Sequence, residues 1–424
     1  MSVVFLLTPW LTPWLTPWLA VGLLLGAGCH AARTIDPPPE PGQQQAAEPI
    51  TAAPMDAAVE TVMDAASESA DAASAQDAAA VVDSAAPEDG EDAGITGPRD
   101  PVPSCDVQLE EALDGLPDDL ICAGLYTDVW NKRIHPEARF YAPAYPLWSD
   151  GSGKLRWIRL PKGATIDASV QDAWVFPVGT QLWKEFRVNG RRVETRLLQK
   201  VREDRWERAT YEWNRQETWA VRSFGRDVED VILSGAVYHV PSGSECDQCH
   251  DGNKDRVLGF SAISLGLPGA EGLTLRALVD EGLLEPPPPR TELQIGDDGT
   301  GYGADALGWL HHNCGVSCHN DNQNAEAYST DLFMKLHVNE LDGRASNDFD
   351  ALSNTVGVEM LSERWGEGRK RIVAGSPEDS VLYQLLTTRI GDDREQMPPI
   401  ASQVVDPVYG KLIGDWIGAM PTSP

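Results

Sequence analysis

Four of the seven cysteines in this 424-residue chain stand in two pairs, each followed directly by a histidine. The first pair is S-E-C-D-Q-C-H-D-G, with Cys246, Cys249 and His250. The second is N-C-G-V-S-C-H-N-D, with Cys314, Cys318 and His319. A C-x-x-C-H run is the spacing of covalent c-type haem attachment. Each thiol adds to one vinyl group, and the adjoining imidazole reaches the iron from the same side. One short segment therefore fixes both thioether links and the proximal ligand. Zinc and a redox dithiol are the competing readings. A redox C-x-x-C does not need the histidine and sits on a thioredoxin-like βαβ unit, which the surrounding pattern does not supply.

The second pair carries one extra residue between its cysteines. Both thioethers and the axial imidazole remain attainable if the loop bulges. D-A-L-G-W-L leads into the motif as a short helix, and E-Q-M-P-P follows far downstream. Met397 in that Pro-rich loop, just before an amphipathic C-terminal helix, is the candidate distal thioether ligand. His311 and His312 open a different reading, in which they join Cys314, Cys318 and His319 around zinc or copper. The expected cofactor is haem c at 246–250 and a second haem c at 314–319. The other cysteines are Cys29, assigned to a lipid, and Cys105 and Cys122. The last two flank an amphipathic segment and are expected to form a disulfide.

The elements that must position these groups can be read outward from them. Residues 1–29 are apolar and end in L-L-L-G-A-G-C. They read as an export signal with a lipoprotein cleavage box at Cys29, although Lys and Arg are absent ahead of it and Gly26 stands where Leu is usual. Three T-P-W-L repeats put prolines where a continuous membrane helix could not accept them. A simple secreted protein is the second reading. Residues 30–104 are rich in Ala, Asp, Pro, Ser and Gln, and from Arg33 to Ser104 carry 15 acidic residues against two arginines. Such a segment cannot bury a core and reads as a disordered tether with a mean reach of about 45–50 Å. The net charge of −31 argues against nucleic acid as a partner, since phosphate binding needs a basic face.

Residues 105–240 are rich in Trp and Tyr and read as an antiparallel β domain, sandwich or barrel-like. Y-P-L-W-S-D-G-S-G-K-L-R-W-I-R-L predicts strand, turn, strand. Asn189-Gly190 between two strand-like runs predicts a tight hairpin. Ala209, Tyr211 and Trp213 fall on one side at period two, and the tryptophans are assigned to the core rather than to a ligand platform. Residues 241–290 form the first haem-binding module and 291–424 the second. Here L-T-L-R-A-L-V-D-E-G predicts a helix with Gly282 at its C-terminal turn, and P-P-P-P at 286–289 is a stiff break. Ser376-Pro377 and Asp406-Pro407 predict two helix starts, each with a capping residue followed by proline.

In their order and spacing, Y-P-L-W-S-D-G-S-G-K-L-R-W-I-R-L-P-K-G-A-T-I-D, F-P-V-G-T-Q-L-W-K-E-F, Y-H-V-P-S-G-S-E-C-D-Q-C-H, W-L-H-H-N-C-G-V-S-C-H and M-P-P with D-P-V-Y-G-K-L-I-G-D-W-I form one pattern. From about Leu125 to Met420 it resembles a family of bacterial, largely uncharacterised dihaem c-type cytochromes with a Trp-rich β domain in front. The resemblance implies covalent haem, electron transfer and export, with Cys246, Cys249 and His250 at the first haem. It implies Cys314, Cys318 and His319 at the second, with Met397 distal, although the family's second motif usually has the shorter gap. The expected fold is therefore multidomain α+β: a disordered tether, an antiparallel β domain, then mostly α-helical cytochrome c-like haem modules.

The expected function is a single-electron relay tethered on the periplasmic or outer side of the outer membrane. Its partners would be redox proteins, and it would meet the membrane only through the lipid. The alternatives are a dihaem peroxidase or oxidase, and a metal-binding lipoprotein without a redox role. For the first haem, His239 and His135 are candidate distal ligands, with Met334, Met360 and His337 behind them.

Overall fold

The computed structural model describes residues 103–389, 396–400 and 402–422. The apolar leader with its Cys29, and the acidic segment up to residue 102, lie outside the described residues. The chain enters through helix α1 (Cys105–Glu111), capped by the Ser104 hydroxyl. A disulfide joins Cys105 to Cys122, with Cα atoms 5.2 Å apart.

A seven-stranded antiparallel sheet follows. Its strands are β1 (Arg139–Ala142), β2 (Gly153–Arg159), β3 (Gln181–Val188), β4 (Arg191–Arg202), β5 (Arg205–Trp213) and β6 (Ala220–Ser223). A hairpin, β7 (Arg226–Leu233) and β8 (Ala236–Val240), comes next, and the short β9 (Glu271–Gly272) completes the sheet in the order β9-β1-β2-β3-β4-β5-β6. Asn189 and Gly190 both have positive φ, 51° and 78°. That is the geometry of a two-residue turn whose twist matches its strands. Beyond the turn, one extra residue in β4 shifts the register between Phe186 and Arg187. Such a bulge redirects every later side chain of its strand relative to the partner.

Alternation sends the two faces of the sheet to different cores. Trp157, Trp183, Leu197, Ala209, Tyr211 and Trp213 share one cluster with Leu116, Leu120 and Leu125 from the N-terminal segment. Ile158 and Leu182, on the opposite face, join the main core. That core also takes Leu265, Leu307, Trp309, Ile413 and Trp416, so apolar side chains from the sheet and from both later stretches pack as one body. The helices there are short: α2 (Gly243–His250), α3 (Ala262–Gly266), α4 (Leu275–Asp280), α5 (Gly303–Leu310), α6 (Asp350–Ser353), α7 (Val381–Thr387) and α8 (Pro407–Ala419). Helices α5 and α8 pack together, with Trp309 stacked on Tyr409 at 5.4 Å between ring centroids.

Three expectations need correction. The stretch after the sheet is not mostly helical: its helices are short and long irregular segments join them. Residues 145–148 form no strand. Pro146 has no amide to donate, the Trp148 amide is taken by Asn313 Oδ1 at 2.7 Å, and its indole donates to the Val404 carbonyl at 2.9 Å. The segment is thus tied to the C-terminal half instead of to a neighbouring strand. The helix expected from Ser376 begins at Val381. The Val381 and Leu382 amides donate to Lys370 and Arg371 carbonyls, and Ser376 turns its hydroxyl to Asp379 at 2.6 Å.

Candidate functional site

The first motif lies on α2, whose start is a capping box. The Ser242 hydroxyl accepts from the Glu245 amide, and the Glu245 carboxylate accepts from the Ser242 amide. On a helix, Cys246, Cys249 and His250 stand at i, i+3 and i+4, hence on one face. Arg208, from β5, holds α2 over the sheet: its Nε donates to the Gly243 carbonyl at 2.9 Å and its guanidinium pairs with Asp247. His250 is placed by the loop that follows. Its Nδ1–H donates to the Arg256 carbonyl at 2.5 Å, which leaves Nε2 as a lone-pair donor. Burial pushes the ring down to about 4, so it is neutral at pH 7, as a metal ligand must be.

That loop is itself anchored. The Asp255 carboxylate accepts from Lys200 Nζ at 2.9 Å, from the Trp206 indole at 3.0 Å and from the Phe176 amide at 2.6 Å. Lys200 is 1% exposed. A buried charge pair rooted in β4 therefore fixes the residue next to Arg256, and through it the carbonyl that orients His250.

The second motif leaves α5 through a π-helical turn, His311–Gly315. The Val316 amide donates to the His311 carbonyl at 2.8 Å, and the His319 amide to the Cys314 carbonyl at 2.8 Å. Both are i→i+5 bonds, the wide turn that absorbs one additional residue and recurs at functional positions. The inserted residue is thus taken up in the backbone. Gly315 is confined there, since a Cβ on it would lie 2.6 Å from the backbone of Met334 and Lys335. Burial holds His319 down to about 4. The Leu332 carbonyl attracts the ring, yet Nδ1 makes no well-aligned hydrogen bond.

The two motifs meet. The Cys249 and Cys318 thiols lie close enough to act on each other's charge, which raises Cys249 and lowers Cys318. Burial raises Cys246 and pushes Cys314 up to about 12. Gly252 sits so close to the second motif that a Cβ there would fall 1.6 Å from the Ser317 carbonyl oxygen. The Asn322 amide group donates to the Gly252 carbonyl at 3.2 Å.

His311 and His312 differ. The Leu336 amide donates to His311 Nδ1 at 2.9 Å, so in the neutral ring Nε2 carries the proton. His311 lines a cavity of about 30 Å³ together with Asp172, Asp255 and Lys335, about the room of one water, and its Nε2 is buried without a hydrogen-bond partner. His312 Nδ1–H donates to the Gly308 carbonyl at 2.8 Å, and its Nε2 is buried without a partner. Among the described residues no group of three or more His, Cys, Asp or Glu is arranged to hold a metal ion.

Met397 packs half-buried against the main core, as Cys314 does, and its amide donates to the Leu385 carbonyl at 2.9 Å. Both ring nitrogens of His239 are engaged, by Asp227 at 2.7 Å and Glu245 at 3.2 Å. His337 lies 3.5 Å from Asp172. Met334 is core, its amide bonded to the His319 carbonyl at 2.8 Å. The Met360 amide bonds Arg369, and His135 belongs to the segment carrying the first core cluster, across the sheet from α2. Reading the sequence missed Arg208, Asp255 and Lys200. Counting by twos from the Asn189-Gly190 turn puts Lys200 on the wrong face, because the β4 bulge shifts the register, and nothing local marks Asp255. No family model, curated protein or solved structure matches this chain.

Proposed function

We propose that the protein is an exported dihaem c-type cytochrome that relays single electrons. Cys246, Cys249 and His250 carry one haem, and Cys314, Cys318 and His319 the other, with Met397 the distal ligand of the second. The lipid anchor at Cys29 belongs to the same proposal. When bound, the cofactor supplies a one-electron iron couple, and a His/Met ligand pair raises its potential.

The observation that carries the reading is the state of His250. A ligating imidazole is normally oriented by a carbonyl or carboxylate on its other nitrogen. His250 has that arrangement with Arg256, on the same helix face as two unpaired thiols. The residues present therefore fit the group. The chain's own contributions are positional: the Lys200–Asp255 pair steadies the carbonyl, Arg208 holds the helix, and the π turn allows Cys314, Cys318 and His319 to share one short segment. Burial keeps both imidazoles unprotonated.

The test is intact mass, with pyridine haemochrome absorbance, of the full chain matured in a periplasm equipped for haem attachment. Two covalent haems are expected. C246A/C249A and C314A/C318A should each remove one. A mature wild-type chain without added mass overturns the proposal.

A further inference from the structure

Beneath α2 the sheet carries an arrangement that costs free energy as it stands. Arg156 in β2 lies directly opposite Lys184 in β3, and Lys184 directly opposite Arg196 in β4. Lys154 is two residues along from Arg156, on the same face. Like charges opposite one another across strands repel, and the one of them that is buried, Arg156, adds the cost of an unpaired buried charge. Arg156 is 4% exposed, and among the described residues its guanidinium has neither a hydrogen bond nor an ion pair. The half-exposed Lys184 ammonium lies 6.0 Å from the Phe186 ring and, among the described residues, has no hydrogen bond or ion pair. Lys154 reaches the Leu147 carbonyl at 2.5 Å. Arg196 alone is paired, with Glu194 at 2.5 Å, and that carboxylate also accepts from Tyr238.

The β4 bulge brings Arg196 into the row. Without it Lys184 would face Thr195, and Arg196 would point into the other core. Burial, with Arg156 and Arg196 beside it, pushes Lys184 down to about 7. Lys184 also lies near enough to Cys246, Cys249 and His250 to act on their charge.

We propose that Arg156, Lys184 and Lys154, with Arg196 behind them, form a carboxylate site under the 246–250 motif, and that the carboxylates it takes are the two propionates of the haem attached there. The second half of this rests on the function proposed above. A planar guanidinium and two ammonium groups suit a pair of carboxylates, and the anion they would hold supplies the missing countercharge.

The test compares the full-length wild type with R156Q/K184Q, each with and without attached haem. Removing two cations stabilises a haem-free chain whose row is unpaired, so its melting temperature should rise. Nearby positive charge favours ferrous iron, so in the haem-loaded chain one midpoint potential should fall. The expected fall is a tenfold shift of the reduced-to-oxidised ratio, about 59 mV for one electron. The haem-free chains are also titrated calorimetrically with succinate. If the potential is unmoved but succinate binds saturably to wild type and not to the variant, the carboxylate site stands and its occupant is a free dicarboxylate instead. If the wild type carries no haem, the cytochrome reading fails, and the succinate titration alone decides the site. An unmoved potential together with no succinate binding overturns the inference.

Discussion

Replacing Asp255 with alanine isolates the anchor beneath His250. The substitution removes the carboxylate that Lys200 Nζ meets at 2.9 Å, with the lysine 1% exposed. Deleting one partner of a buried pair costs about 3–5 kcal/mol, because the remaining charge cannot reach water. The Trp206 indole and the Phe176 amide lose their acceptor as well. Each would cost about 1 kcal/mol or more alone, but all three donors share one site, and contributions that share a site do not add. A loss of about 4 kcal/mol is expected. At about 2–4 °C per kcal/mol for large domains, the calorimetric melting temperature of the full chain should fall by roughly 10 °C. K200M/D255L replaces both charges with apolar groups and should recover most of the loss, since buried pairs often exchange for hydrophobic residues at little cost. A fall under about 3 °C for D255A, or a double variant no more stable than the single one, would refute the reasoning.

Three other outcomes follow from the site. G252A must displace the Ser317 carbonyl, which a Cβ would meet at 1.6 Å; a loss of about 1–3 kcal/mol, measured by denaturant unfolding, is expected, and unchanged stability would mean the motifs do not touch. M397A should abolish a near-infrared sulfur-to-iron band in the mature chain, and persistence of the band would assign that ligand elsewhere. Burial alone would lower His239, but its hydrogen bonds to Asp227 and Glu245 leave it raised above its usual value near 6.5. Its contribution to stability is therefore complete below about pH 6.5 and declines as pH rises through the raised value. Melting temperature against pH should show this decline in the wild type and lose it in H239Q.

Much of the scaffold was legible because its signals are local. Asn189-Gly190 can form the tight hairpin turn, and Asp406-Pro407 can start α8, with no help from the rest of the chain. Ala209, Tyr211 and Trp213 declare their common face by alternation alone. Legibility ended where one residue's partner came from far along the chain. Pro146 and Trp148 are held by Asn313 and Val404, so their strand-like pattern had nothing to pair with. The cysteine–histidine spacings mark the candidate site, but not that Cys249 and Cys318 meet, since that depends on tertiary packing. The cation row was hidden for another reason: counting outward from the turn pairs Lys184 with Thr195, and only the bulge brings Arg196 opposite.

The disulfide at the entrance has a mechanical consequence. The acidic segment joins the described fold at Ser104, one residue before Cys105. A pull delivered through that segment passes across the sulfur bridge to Cys122, where the chain turns into the first core cluster beneath Leu120 and Leu125. Helix α1 lies inside the bridged loop, in parallel with the bond, and is shielded from the load. Force from a leash would be borne first by a covalent link and only then by packing.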